Sequence, residues 1–225
     1  FLYKIIIMAP KKKIKAEDII SLYMDYYLEN GEAPKSVYHF AKVNNFEEKD
    51  FYQFFGSFEA IDNHVFKAFF DQTVKLLEKS EEYGTFDPRN KLLSFYFTYF
   101  ELLTANRSFV LSILGNGDPS MKSLKVLKEL RSAFTEYITE LEIETLDLKE
   151  EKLEKLKDKS IKESSWTQFL VTLKFWMEDS SAGFEKTDMF IEKSVNTGFD
   201  LLDVKPLKSI IDFGKFLFKE KIQMK

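Results

Sequence analysis

The amino-acid sequence predicts an all-α protein, and three observations carry that prediction. Punctuation is sparse, with 8 Gly and 5 Pro in 225 residues, too few for the regular turns of a β-sandwich or barrel. Apolar residues recur at helical spacing along most of the chain, and no stretch reads as a strand. Capping signals bracket the periodic segments.

The elements follow in order. Ile19, Ile20, Tyr23, Tyr27 and Leu28 share one helical face, and Gly31 follows as a C-cap. A short helix fits 34–42, with Pro34 in its first turn. Asn45 with Glu48 reads as an N-cap and its reciprocal carboxylate, opening a helix to about Phe55. Ser57 caps a long helix to about Ser80, Asp87-Pro88 opens another to about Thr104, and a shorter one covers Arg107 to Leu114. The segment Gly115-Asn116-Gly117-Asp118-Pro119 is the strongest turn signal, and it lacks the Lys-Ser/Thr of a phosphate-cradling loop. Helical spacing resumes from Ser120 to about Leu146. Residues 140–163 hold 15 charges of both signs in 24 positions, which reads as a solvated helix end or a mobile connection. Trp166–Met177, Phe184–Leu202 and Leu207–Lys221 are three further helices, the last set off by Lys205-Pro206.

Composition narrows the chemistry. The chain has no Cys and two His, which removes disulfide scaffolds, Cys-ligated metals and a cysteine nucleophile. No metal ligands, cofactor or catalytic residues are expected, because nucleophile elbows, His-Glu-x-x-His, phosphate loops and dinucleotide fingerprints are all missing. Phe accounts for 24 residues, enough to fill a core or to line a cavity for an apolar ligand. Residues 1–15 carry five Lys and no acid, and residues 205–225 carry six Lys against Asp212 and Glu220, while the formal net charge is −4. An acidic body with basic ends directs any anionic partner to the ends. No apolar run approaches the ~20 residues of a membrane span. Residues 1–7 are too short for a signal-peptide core; Met8 reads as a plausible start, so they are set aside. A cytoplasmic location is the expectation.

The stretch from Ile19 to Phe70 has helix-turn-helix spacing. Ser36-Val37-Tyr38-His39-Phe40-Ala41-Lys42 precedes the turn Val43-Asn44-Asn45, and a second short helix from Phe46 to Phe55 ends in Gly56-Ser57-Phe58-Glu59. Val37, Phe40 and Ala41 would face the core, with Phe46, Phe51 and Phe55 filling the other side. Gly31, the Ser36-Val37-x-x-Phe40-Ala41 helix and the Phe51-Tyr52-x-x-Phe55-Gly56-Ser57-x-Glu59 ending resemble the N-terminal domain of the TetR family of bacterial transcriptional regulators, without gaps over about fifty residues. The resemblance implies a three-helix DNA-binding domain over 8–62 and a larger helical ligand-binding and dimerisation domain over 63–225. It implies a homodimer joined through C-terminal helices, whose ligand shifts the spacing of two DNA-reading helices. Lys49, Phe51, Tyr52 and Gln53 would then read DNA. Lys35 and Ser36 would lie at the start of the first motif helix, and the arm Lys11-Lys12-Lys13 would meet phosphates.

The sequence also departs from the family. Asn45 stands where members usually have Gly, a benign change because Asn tolerates the left-handed conformation. Glu47, Glu48, Lys49 and Asp50 replace the usual Ser or Thr, Lys and Gly. Acids in the first turn satisfy the helix dipole and repel phosphate. Residues 8–62 hold seven Lys and ten acids, against the basic footprint usual for DNA binders.

In the second half, Phe95, Phe97, Phe100, Phe109, Phe134, Phe169, Phe175 and Trp176 are the candidate lining of a pocket for an apolar small molecule or lipid. Ile191, Val195, Phe199 and Leu202 recur at helical spacing and belong to a helix pair suited to dimerisation. The Trp176-Met177-Glu178-Asp179-Ser180 string also resembles the TetR-like lipid-binding proteins of coenzyme Q biosynthesis. That implies an alternative: a protein of the same fold that has lost DNA binding and carries an isoprenoid or other lipid. Such a protein would touch membranes peripherally through its last helix, whose Leu207, Ile210, Ile211, Phe216, Leu217 and Phe218 are ringed by Lys. The same pattern suits a helix packed on its own domain with snorkelling lysines.

Overall fold

The computed structural model describes residues 14–115, 124–143 and 151–202. The Lys11–Lys13 arm, most of the Gly115–Pro119 turn, the helix start at Ser120 and the Leu207–Lys221 helix lie outside the described residues. Among those residues there are nine α-helices and no strand: α1 Ala16–Asn30, α2 Val37–Val43, α3 Glu48–Tyr52, α4 Phe58–Glu78, α5 Pro88–Ala105, α6 Arg107–Leu114, α7 Lys128–Glu140, α8 Glu151–Glu178 and α9 Glu185–Leu202. The all-α expectation holds. The described residues form two compact units, one up to Gln72 together with Glu101–Arg131, the other comprising Thr73–Phe100 and the residues from Ser132 onward.

The first unit closes around Phe40. Its ring meets Tyr26, Phe46, Phe51 and Phe58 edge-on, with centroids 6.1, 5.6, 6.4 and 5.5 Å away, the geometry that the ring quadrupole favours. Gly31 ends α1 in the left-handed conformation, and its N–H donates to the Tyr27 carbonyl at 2.8 Å. Helix α2 begins later than the Pro34 signal suggests: Ser36 is the cap, its Oγ accepting the His39 N–H at 3.1 Å. Asn45 is not a helix cap. It takes φ 56° in the turn, and α3 starts at Glu48 after Glu47, which makes no side-chain cap bond. The left-handed residue that the family resemblance requires is therefore present, and the capping box at the same position is not. Helix α3 stops at Tyr52 rather than near Phe55. Ser57 caps α4 as expected, accepting the Ala60 N–H at 3.2 Å.

The second unit is built on α8, α5 and α7. The charged stretch from Glu151 is not a loose connection but the opening of a 28-residue helix; mixed charges at helical spacing suit a solvated face. Its later turns bury Trp166, Phe169, Leu173 and Trp176. These meet Phe95, Tyr96, Tyr99, Phe100 and Phe134, all essentially inaccessible. After α8 the chain reverses through Gly183 at φ 62°, and Asp179 organises the turn. Its Oδ1 accepts the Ser181 N–H and hydroxyl at 2.8 and 2.7 Å. Its Oδ2 accepts the Thr187 N–H and hydroxyl at 2.9 and 2.7 Å. Burial alone would raise this carboxyl, but the four donors outweigh it and hold it at about 2.

Candidate functional sites

Each unit carries one surface that sequence and geometry single out. In the first unit it is the outer side of α2 and α3. The core faces of these helices are consumed by Phe40, Ala41, Phe46 and Phe51. Consecutive helical positions point about 100° apart, so burial of Phe51 turns its neighbour Tyr52 outward, 54% exposed. Gln53, Lys35 and Ser36 are exposed as well. Tyr38, Val43 and Phe54 extend the exposed surface with apolar groups, and Lys42 sits 5.9 Å from the Tyr38 ring centroid.

Phe51 corrects the sequence reading. It is wholly buried against Phe40, Phe55 and Phe58 and has no face to offer a base. Lys49 is exposed, but its ammonium lies 2.6 Å from the Glu47 carboxylate. That hydrogen bond and charge hold the lysine above its ordinary pKa, so it stays cationic with its charge directed at Glu47. A shallow cleft of about 460 Å³ runs between the two helices, with Tyr38, Asn45, Glu47 and Glu48 on its walls. Lys11, Lys12 and Lys13 lie outside the described residues.

In the second unit α8 and α9 enclose a groove of about 850 Å³. Phe175, Met189, Phe190, Val195, Phe199 and Leu202 make it apolar, and Lys186 and Lys193 stand among its polar members with Ser164, Gln168 and Ser194. Phe175 and Phe190 stack at 4.6 Å and 14°. Gln168 donates to the Ser194 hydroxyl at 3.2 Å, tying the two helices together. At one end Arg89 bonds Asp200 at 2.7 Å and lies 5.4 Å from the Phe199 ring.

Of the eight candidate pocket residues, only Phe175 lines this groove. Phe95, Phe100, Phe134, Phe169 and Trp176 pack on one another as core. Phe97 lies on the outer face of α5, 37% exposed. Phe109 belongs to the other unit, where α6 packs on α1 and the ring meets Tyr23 and Tyr27 edge-on at 6.3 and 5.9 Å. The groove residues that the sequence reading missed, Met189, Phe190 and Lys193 with Leu92 from α5, are interleaved with the buried stripe Ile191 and Val195. A second apolar stripe on α9, offset from the first, is the signal that could have found them.

Such a molecule, wholly helical among its described residues with an aromatic second unit and an apolar helix-pair groove, belongs to a recognisable class. The family model described as tetracyclin repressor-like, C-terminal domain, matches residues 91–217, more than half of the chain. The protein belongs to this family. No curated protein matches it in sequence. Among the described residues, no helix is long and apolar enough to cross a membrane, and no group of three His or acidic residues is placed to hold a metal ion.

Proposed function

We propose that the protein is a ligand-responsive transcriptional regulator that binds DNA as a homodimer. The observation that carries this reading is the α2–turn–α3 unit. Buried Phe40, Ala41, Phe46 and Phe51 fix two short helices about the left-handed Asn45, in a chain whose second half is tetracyclin repressor-like. Tyr52 and Gln53 face outward from the second of these helices and enter the groove together with Lys49. Lys35 and the Lys11–Lys13 arm meet phosphates, and Ser36 holds the start of α2. A second copy covers the α8–α9 groove, where Met189 and Leu201 are half or more exposed. The second unit receives an apolar ligand. A cytoplasmic location follows from a DNA partner.

The test is fluorescence anisotropy of the protein on DNA from upstream of its own gene, beside scrambled DNA, across a salt series. Selective binding that weakens steeply with salt is expected. Glu47→Lys with Glu48→Lys raises non-specific affinity several-fold at low salt, because it frees Lys49 and opens the helix start to phosphate. Absence of binding at the lowest salt overturns the proposal.

One observation favours the second reading. The start of α3 presents Glu47, Glu48 and Asp50 around a lysine already paired. A relative that no longer binds DNA and instead carries an isoprenoid or other lipid, with peripheral membrane contact, tolerates this surface without cost. Lipid extracted from the purified protein, together with failure of the DNA experiment, would establish it.

A further inference from the structure

Tyr96 is the one buried hydroxyl among the described residues that lacks a hydrogen-bond partner. It is fully inaccessible. Its ring is walled by Phe95, Phe100, Phe134 and Phe169 at 6.0, 6.0, 6.2 and 6.0 Å, none of which can accept a hydrogen bond strongly. Other buried tyrosines do better: Tyr23 donates to Asp62 at 2.8 Å, and Tyr137 reaches the Lys91 carbonyl at 3.2 Å. A buried hydroxyl left unmade costs stability that phenylalanine would not cost at the same place. Burial also pushes the phenol above its ordinary pKa, so it remains a donor and needs an acceptor.

We infer that the Tyr96 hydroxyl anchors a ligand inside the second unit: an uncharged, mainly apolar molecule of ring size carrying one oxygen acceptor, such as an aryl ketone or ester. This rests on the reading of the second unit as ligand-receiving. A charge among these rings would be desolvated without compensation, which excludes carboxylates and amines. Entry runs past Leu92. That residue lies one turn before Tyr96 on the same face of α5, about 6 Å along the helix, and lines the α8–α9 groove together with Phe175 and Val195. A guest that turns Leu92 aside reaches the hydroxyl from the groove.

The probes are 2-acetylnaphthalene and 2-ethylnaphthalene, nearly isosteric, with and without the acceptor. Isothermal titration calorimetry on the full chain is expected to show the ketone binding tenfold or more tightly than the hydrocarbon. Tyr96→Phe is expected to abolish that preference and, without a probe, to melt no lower than the native protein. Equal affinities in the native protein, binding of neither probe, or a preference that survives in Tyr96→Phe each overturn the inference. Equal affinities would mean the hydroxyl is served by water. DNA anisotropy on the same samples separates the two readings: lost DNA binding with an intact ketone preference sinks the regulator and leaves this site standing.

Discussion

Both units bury tyrosine among phenylalanine, yet they treat the hydroxyl in opposite ways. In the first, Tyr23 stacks on Phe58 at 5.5 Å and sends its hydroxyl to Asp62 at 2.8 Å, so a polar link between α1 and α4 is completed by the chain itself. In the second, Tyr96 sits in a comparable nest of rings with its hydroxyl unanswered. The first core is closed to further chemistry: its rings set the angle between α2 and α3, and function is left to what protrudes. The second core retains a demand that an outside atom can meet. Aromatic richness therefore has two uses here, and the hydrogen-bond inventory tells them apart where composition cannot.

The largest effect that sharpens the contrast lies at neighbouring positions of α3. Phe51→Ala removes a ring at the centre of the first core and should cost about 3–5 kcal/mol, measured by urea unfolding. Tyr52→Ala beside it should stay within about 0.5 kcal/mol while weakening DNA binding. A near-neutral Phe51→Ala would break the description of the first core and return Phe51 to the candidate readers of DNA.

That pair also marks how far the sequence could be read. Helix existence was legible wherever apolar residues repeat at helical spacing, and Gly31 and Ser57 cap where their chemistry says they should. The motif that carried the family resemblance could not separate Phe51 from Tyr52, because both are aromatic and a five-residue helix holds too few positions to display a period. Asn45 offered two chemistries, side-chain capping and left-handed backbone, and only the surrounding turn selects between them. The charged opening of α8 hid its helix because both signs occur on every face, leaving no apolar stripe before Trp166. The pocket assignment failed for a related reason: a Phe in a helix announces burial, not whether its neighbour is another ring or a void.

An intermediate effect concerns the α8–α9 reversal, the second unit's answer to the Tyr23–Asp62 link. Asp179→Ala leaves two N–H groups and two hydroxyls without their acceptor and should cost about 2 kcal/mol. The folded carboxyl titrates at about 2, below the ordinary value of about 3.9 for an unfolded chain. Its contribution is therefore complete above the unfolded value and is lost as pH falls through the folded one. The stability gap between native protein and variant should be full at pH 6 and shrink steadily below pH 4. A gap that persists at pH 2 would contradict the four-donor account of the turn.

The smallest effect has the opposite sign and sits in the first unit. Burial raises the Asp62 carboxyl to about 6, Tyr23 pulls against that shift by donating to the ionised form, and Glu59 adds to it. The folded state then holds a proton between about pH 4 and 6 that the unfolded chain has released, so stability rises as pH falls across that window. Relative to Asp62→Asn, in which the amide oxygen can still accept from Tyr23, the native protein should gain about 1 kcal/mol between pH 7 and pH 5. Tyr23→Phe deletes the bond that favours the charge, so the window should move to higher pH. Parallel stability curves for native protein and Asp62→Asn would show that Asp62 keeps its charge at little cost. The first core would then be wetter at its edge than its rings suggest, and the contrast with Tyr96 would rest on the second unit alone.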